Sequence, residues 1–135
     1  MLQRICIGCG VVLISRYKIK FCSNRCQHKY RGEVFVADWK AGKVSGIVGR
    51  QTKVLSRHIR SYLLRFNQSK CSLCGWNEVN PVTQLVPLEI DHIDGNPENN
   101  LESNLRLLCP NCHSLTPFFR ALNKGRGRAW RLKRE

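Results

Sequence analysis

All eight cysteines of this chain fall in four close pairs, Cys6/Cys9, Cys22/Cys26, Cys71/Cys74 and Cys109/Cys112. A length of 135 residues fits one ordinary domain or two very small ones. Small domains bury too little apolar surface to stand alone and often rely on metal staples. The rival use of paired cysteines is a secreted disulfide scaffold. The first fifteen residues speak against it, holding Arg4, two cysteines and two glycines and no clean apolar run or small-residue cleavage site. The stretch Val11–Ile14 is too short to span a bilayer. The expectation is therefore of a protein of the cytoplasm. Its pairs there favour zinc over disulfides, and two structural Zn²⁺ ions are expected.

The formal charge of +14 is unevenly spread. Residues 1–31 carry seven Lys/Arg and no acid, and residues 32–70 have a net charge of +6. The segment 71–112 reverses to −5, with Arg106 alone against six acids, and residues 113–135 return to +6. A basic frame around an acidic centre suits a polyanion held by the flanks while the centre handles a cation. Nucleic acid is the expected polyanion, because phosphate neutralisation supplies most non-specific affinity. The competing reading, an anionic membrane surface, lacks the lipid-facing amphipathic segment it would need, so no membrane partner is expected.

Four stretches follow from the punctuation. Residues 1–31 read as a four-cysteine zinc knuckle: a tight Cys6–Gly10 turn, a hairpin through Val11–Ile14 and Lys18–Phe21, then a helical turn carrying Cys22 and Cys26 and continuing toward Tyr30. Ser23 or Asn24 is placed to cap that helix. Residues 32–69 read as a glycine-rich connector followed by a basic amphipathic helix over Thr52–Phe66. In that helix Leu55, Ile59, Tyr62, Leu63 and Phe66 share the apolar face. Lys53, Arg57, Arg60 and Arg65 lie mostly opposite, as candidate contacts to a DNA backbone.

Residues 70–124 read as a second module. A strand through Leu85–Ile90 ends in the turn-rich Asp94–Asn100, a second strand covers Leu105–Leu108, and a helix starts at Cys109 with Pro110 in its first turn. Thr116-Pro117 would break it before a short helical piece, Phe118–Asn123. Residues 125–135 are a basic, glycine-rich tail, read as unordered until it meets a partner, with Arg126 and Arg128 as further nucleic-acid contacts.

Cys71, Cys74, Cys109 and Cys112 are the natural ligands of one zinc, closed to catalysis because four thiolates fill its coordination. Between and beside them lie Asp91-His92, Asn104 and His113. Asp91 offers a hard oxygen to a divalent cation. His113 follows a ligand cysteine in a helical turn, where adjacent positions differ by about 100° in direction, so it can face a second metal. Two protein ligands leave coordination positions open for water and phosphate oxygens. His92 suits a general base, since imidazole titrates near neutral pH, provided a neighbouring acceptor orients it. A regular strand would put Asp91 and His92 on opposite faces, so they converge only if the strand ends there in a turn. Glu89 reads as a solvent-face strand residue close enough to support a ligand, and Asn104 as a residue that closes a turn.

The run Leu88-Glu89-Ile90-Asp91-His92-Ile93-Asp94-Gly95-Asn96, followed by Asn104-Leu105-Arg106-Leu107-Leu108-Cys109-Pro110-Asn111-Cys112-His113, strongly resembles the HNH endonuclease family and its zinc-stabilised four-cysteine subgroup. The resemblance covers about residues 70–115. It implies a small mixed α+β, zinc-stabilised fold: a ββα-metal nuclease core with an N-terminal zinc knuckle and a basic helix. It implies His92 as general base, Asp91 and His113 as ligands of a catalytic Mg²⁺, Mn²⁺ or other transition metal, and Asn104 fastening the loop between the strands. Where many members use His/His for the metal, this chain has Asp/His, which leaves metal preference open. Residues 1–70 resemble, more loosely, the DNA-binding additions of phage-borne and mobile nucleases. The expected activity is hydrolysis of phosphodiester bonds in double-stranded DNA, nicking as a monomer or cutting both strands as a homodimer, in a phage or mobile-element, homing-like role. The alternative is a zinc-dependent nucleic-acid-binding protein without cleavage.

Overall fold

The computed structural model describes residues 3–49 and 54–123 and divides the chain into two compact units, Met1–Val44 and Ser45–Glu135. Lys53, Arg126 and Arg128, like the rest of the tail, lie outside the described residues.

In the first unit Arg4–Cys6 runs back along Val11–Leu13. Ile5 bridges Val12, the Cys6 amide donates to Val11 O at 2.8 Å, and the Leu13 amide donates to Arg4 O at 2.8 Å. The expected pairing of Val11–Ile14 with Lys18–Phe21 does not form, because the turn inside the first cysteine pair already returns the chain on itself. The later segment instead joins through the Ile7 amide on Lys20 O at 2.9 Å. Gly8 makes the closeness possible: a Cβ there would stand 2.7 Å from Cys26 Sγ.

Helix α1 spans Asn24–Lys40, and Ser23 caps it by accepting from the Cys26 amide. Cys22 therefore precedes the helix rather than sharing a turn with Cys26. The helix runs on past Tyr30 through the glycine-rich stretch, because Gly32, Val36 and Trp39 recur at helical spacing and form its buried face. Phe21 packs on Tyr30, ring centroids 5.5 Å apart.

The second unit opens with a short antiparallel ladder, β1 (Ile47–Val48) on β2 (Val54–Leu55), pairing Ile47 with Leu55. Helix α2 covers Arg57–Phe66 and so starts five residues later than the periodicity suggests. Ser56 explains the start: it is buried, its amide bonds Gly46 O at 2.9 Å, and its hydroxyl accepts from the His58 amide at 3.2 Å. Ile59 and Leu63 form the buried face, while Phe66, expected with them, is exposed and stacks on Tyr62.

Strands β3 (Glu89–His92) and β4 (Leu105–Leu108) pair antiparallel, with Asp91 opposite Arg106 and His92 opposite Leu105. Residues 85–88 do not join the strand; the Leu88 amide turns back on Val86 O. Leu88, Leu107 and Leu108 are sealed from solvent, and α2 packs on β4. Helix α3 (Pro110–Ser114) packs on both strands, followed by a 3₁₀ turn at Arg120–Asn123. Among the described residues, two small sheets and three α-helices make a small mixed α+β fold. No helix among the described residues is long and apolar enough to cross a membrane.

Candidate active site

Each unit gathers four sulfurs, Cys6, Cys9, Cys22 and Cys26 in the first and Cys71, Cys74, Cys109 and Cys112 in the second, all within 4.8 Å of one another in each set. All eight are free thiols. A tetrahedral zinc with Zn–S bonds of about 2.3 Å needs sulfurs about 3.8 Å apart. The separations fit that edge: 3.4 Å for Cys6–Cys26, 3.6 Å for Cys9–Cys22 and 3.8 Å for Cys74–Cys109.

The thiols also differ in acidity in parallel ways. Burial pushes Cys71 up, but the backbones of Cys109, Cys74 and Leu73 point at its sulfur and bring it down to about 6. In Cys6 the same contest, won by the Cys22 backbone and the Cys26 thiol, also ends at about 6. Their partners move the other way. The Cys74 and Cys109 thiols, then burial, push Cys112 up to about 12, and Cys6 with burial does the same to Cys26. Each cluster thus pairs an acidified sulfur with one that holds its proton, a set ready to exchange a proton for a cation.

Antiparallel pairing then decides which side chains share a face. Glu89 and Asp91 stand two residues apart on β3, and Arg106 stands directly across from Asp91. Arg106 Nε donates to Asp91 Oδ2 at 2.8 Å, which leaves the other carboxylate oxygen toward α3. From there His113 reaches back: its Nε2 lies 3.8 Å from Asp91 Oδ1, and its Nδ1 lies 2.8 Å from Glu89 Oε2. The ring packs edge-on against Phe119, with centroids 5.2 Å apart. Cys112, one residue earlier, points into the sulfur cluster, so neighbouring helical positions serve two different sites. Two nitrogen and oxygen atoms 3.8 Å apart can both reach one cation at about 2.1 Å, so the pair fits a divalent ion.

His92 is the last residue of β3 and belongs to its other face. The chain turns away at once, the Gly95 amide donating to His92 O at 2.9 Å. Gly95 has φ +73° and lies against Phe118, where a Cβ would come within 2.5 Å of the ring. Because the strand ends here, Asp91, His92 and His113 all border one small cleft of about 130 Å³, closed by Phe118 and Asn123. A second, wider cleft of about 400 Å³ has His92 in its wall with Arg57, Arg60 and Leu55.

Asn104 ties the connecting loop together. Its Nδ2 donates to Asp94 Oδ1 and to Asn99 O, each at 2.8 Å, and its Oδ1 accepts from the Asp94 amide at 3.1 Å. Asn99 Nδ2 closes the ring on Asp94 Oδ2 at 2.7 Å. These bonds, Asn99 first and then the Asn96 amide, hold the Asp94 carboxyl below the usual range.

Residues 71–116 match the HNH endonuclease family. This module is an HNH endonuclease domain. The H-N-H endonuclease F-TflIV of Escherichia phage T5 is 49% identical over 57 residues, which is 42% of this chain and 24% of that protein. The chain thus spans about a quarter of the length of the curated relative it matches. No solved structure matches it. The first sulfur cluster lies outside the matched residues.

Within the HNH domain the sequence-predicted residues Asp91, His92 and His113 come together at one cleft, and Asn104 stands behind them in the loop. Of the basic residues, Arg57 lines the wider cleft beside His92. Arg60 lines it too, but its Nη2 donates to Leu88 O at 2.8 Å. Arg65 is exposed near the helix end, with Nε toward Ser61 O. Two polar residues that touch the site went unread in the sequence. Arg106 becomes visible only once the register sets it across from Asp91. Asn100, hidden in the turn-rich run, is 6% exposed and places Oδ1 2.9 Å from His92 Nε2.

Proposed function

We propose that this chain is a metal-dependent endonuclease that hydrolyses phosphodiester bonds in DNA, with structural zinc in each four-cysteine cluster. The observation that carries this reading is the approach of Asp91 Oδ1 and His113 Nε2 to 3.8 Å beside His92, inside an HNH domain. Asp91 and His113 would hold a divalent ion, Mg²⁺, Mn²⁺ or another transition metal, which supplies positive charge opposite the phosphate and leaving oxygen. Glu89 orients the His113 ring by accepting from Nδ1. Arg106 neutralises the second oxygen of Asp91, so this carboxylate presents one oxygen at a time.

His92 is the general base. It takes a proton from the attacking water as the water oxygen bonds to phosphorus. The phosphorus bond to the sugar oxygen breaks, and that oxygen leaves with a proton from solvent. Asn104 keeps the loop closed behind the base. The wider cleft between Arg57 and His92 gives a strand a path with a cation along its wall. One such site cuts one bond per engagement, so a monomer nicks and a pair of chains is needed to cut both strands. The 49% identity to a phage endonuclease over 57 residues supports a phage or mobile-element setting.

The test is cleavage of supercoiled plasmid in Mg²⁺ or Mn²⁺ by the zinc-loaded chain and by His92→Ala. The variant should lose about 10²–10⁴ in rate with its zinc content unchanged. Equal rates would remove His92 from the chemistry. Tight, salt-dependent binding with no strand breaks under any divalent ion would instead make the chain a nucleic-acid-binding zinc protein.

A further inference from the structure

We propose that Asn100 is the positioning residue for His92, fixing both the direction of its ring and which ring nitrogen carries the proton; the inference rests on the role given to His92 above. Asn100 is almost fully buried, and its carboxamide has a defined orientation. Oδ1 lies 2.9 Å from His92 Nε2, while Nδ2 points at Glu98 O, 3.4 Å away. An amide oxygen only accepts, so the bond to His92 forms when Nε2 carries hydrogen. The neutral ring is thereby held with its lone pair on Nδ1, the nitrogen that would receive the proton of water. After that transfer both nitrogens carry hydrogen, and Nε2 still donates to the same oxygen. The acceptor therefore fits the base before and after the step, and the bond strengthens as the ring becomes charged.

The loop explains why a side chain so far along the sequence can do this. Asn99, the preceding residue, is held twice: its backbone carbonyl accepts from Asn104 Nδ2, and its side-chain Nδ2 donates to Asp94 Oδ2. The Asn104 amide donates to Leu101 O at 2.9 Å just beyond. Asn100 thus sits in backbone pinned on both sides, and Asn104 reaches His92 through it. On this account the loop-fastening asparagine and the base are linked by one buried carboxamide.

The experiment reads the ring tautomer directly. The zinc-loaded full chain is labelled with ¹⁵N-histidine, and ring nitrogen shifts are recorded without added Mg²⁺ or Mn²⁺ at a pH where the ring is neutral. With four histidines in the chain, His92 is identified by its loss in His92→Ala. The wild-type ring should be the Nε2-protonated tautomer. Asn100→Ala should become a mixture, with kcat down about 10- to 100-fold and KM little changed. Asn100→Asp keeps an acceptor oxygen and should keep the tautomer and most of the rate. Asn100→Ser is a second variant that cannot reach the ring, should Asn100→Ala lose its zinc. A wild-type Nδ1-protonated ring, or an unchanged Nε2 tautomer in both Asn100→Ala and Asn100→Ser, overturns the inference. A wild-type chain that cleaves nothing in either metal overturns the nuclease reading instead, and the tautomer does not depend on that result.

Discussion

The first sulfur cluster joins Cys9 to Cys22 across 13 positions of sequence, and the second joins Cys74 to Cys109 across 35. Locally the two are built alike: a tight turn bearing one pair, a capped helix start bearing the last cysteine, and one sulfur acidified while another is pushed up to about 12. What they enclose differs. The short span holds an exposed turn, with Ile14 and Tyr17 largely in solvent. The long span holds both strands of a sheet and a buried polar set, Asp91, Asn100 and Asn104. The same arrangement thus caps a helix in one unit and frames the candidate active site in the other.

The largest effect should separate the two staples. A structural zinc contributes about 10–16 kcal/mol in small zinc-binding peptides, comparable to or more than the roughly 5–15 kcal/mol stability of an ordinary domain. Cys109→Ser should therefore abolish both the fold of the second unit and plasmid cleavage, whereas Cys9→Ser should release one zinc and leave the HNH domain folded. Zinc content, thermal unfolding and cleavage measured on both variants test this. Equal loss of activity would mean that the first cluster also supports the active site.

Next in size is the exposed carboxylate behind His113. Glu89→Gln should weaken divalent-ion affinity by about 10- to 100-fold while changing the rate at saturating metal less, as read from the Mn²⁺ dependence of cleavage. No shift in that dependence would reduce Glu89 to a surface residue.

Proton release should show how alike the staples are. At neutral pH Cys71 and Cys6, at about 6, are already ionised, and Cys112 and Cys26, at about 12, are not. Each zinc should then displace fewer protons than the four thiols it binds, and acidification should weaken both sites. Calorimetry in buffers of different ionisation enthalpy counts those protons. A cluster that releases none is not a metal site.

The smallest effects distinguish two arginines of α2. Arg57→Ala should lower the salt dependence of DNA binding by about one unit of slope and leave the cleavage rate of bound DNA alone. Arg60→Ala should instead cost about 1 kcal/mol of stability in urea unfolding, through its lost bond to Leu88 O. An exchange of these two outcomes would reverse which arginine faces DNA.

Much of the site was legible in the sequence because its signals are local. Cysteine spacing, the capping Ser23, the strand Leu105–Leu108 and the run from Leu88 to Asn96 each depend on residues a few positions apart. Where a boundary depended on a distant partner, the sequence misled. Ser56 starts α2 because its amide meets Gly46 O, and that contact cuts Leu55 out of the helix into a strand. Helix α1 outruns its expected end because the burial of Gly32, Val36 and Trp39 outweighs a glycine's poor helix propensity.

The sequence by itself determined the sulfur sets, the acidic centre in a basic chain and the identities of Asp91, His92, Asn104 and His113. Only the tertiary structure decided how they meet. The register places Arg106 on Asp91, α3 brings His113 to the Glu89–Asp91 face, and a pinned loop returns Asn100 to His92. Pairing register and loop closure are set by the balance of many distant contacts, whereas a motif records only neighbours along the chain.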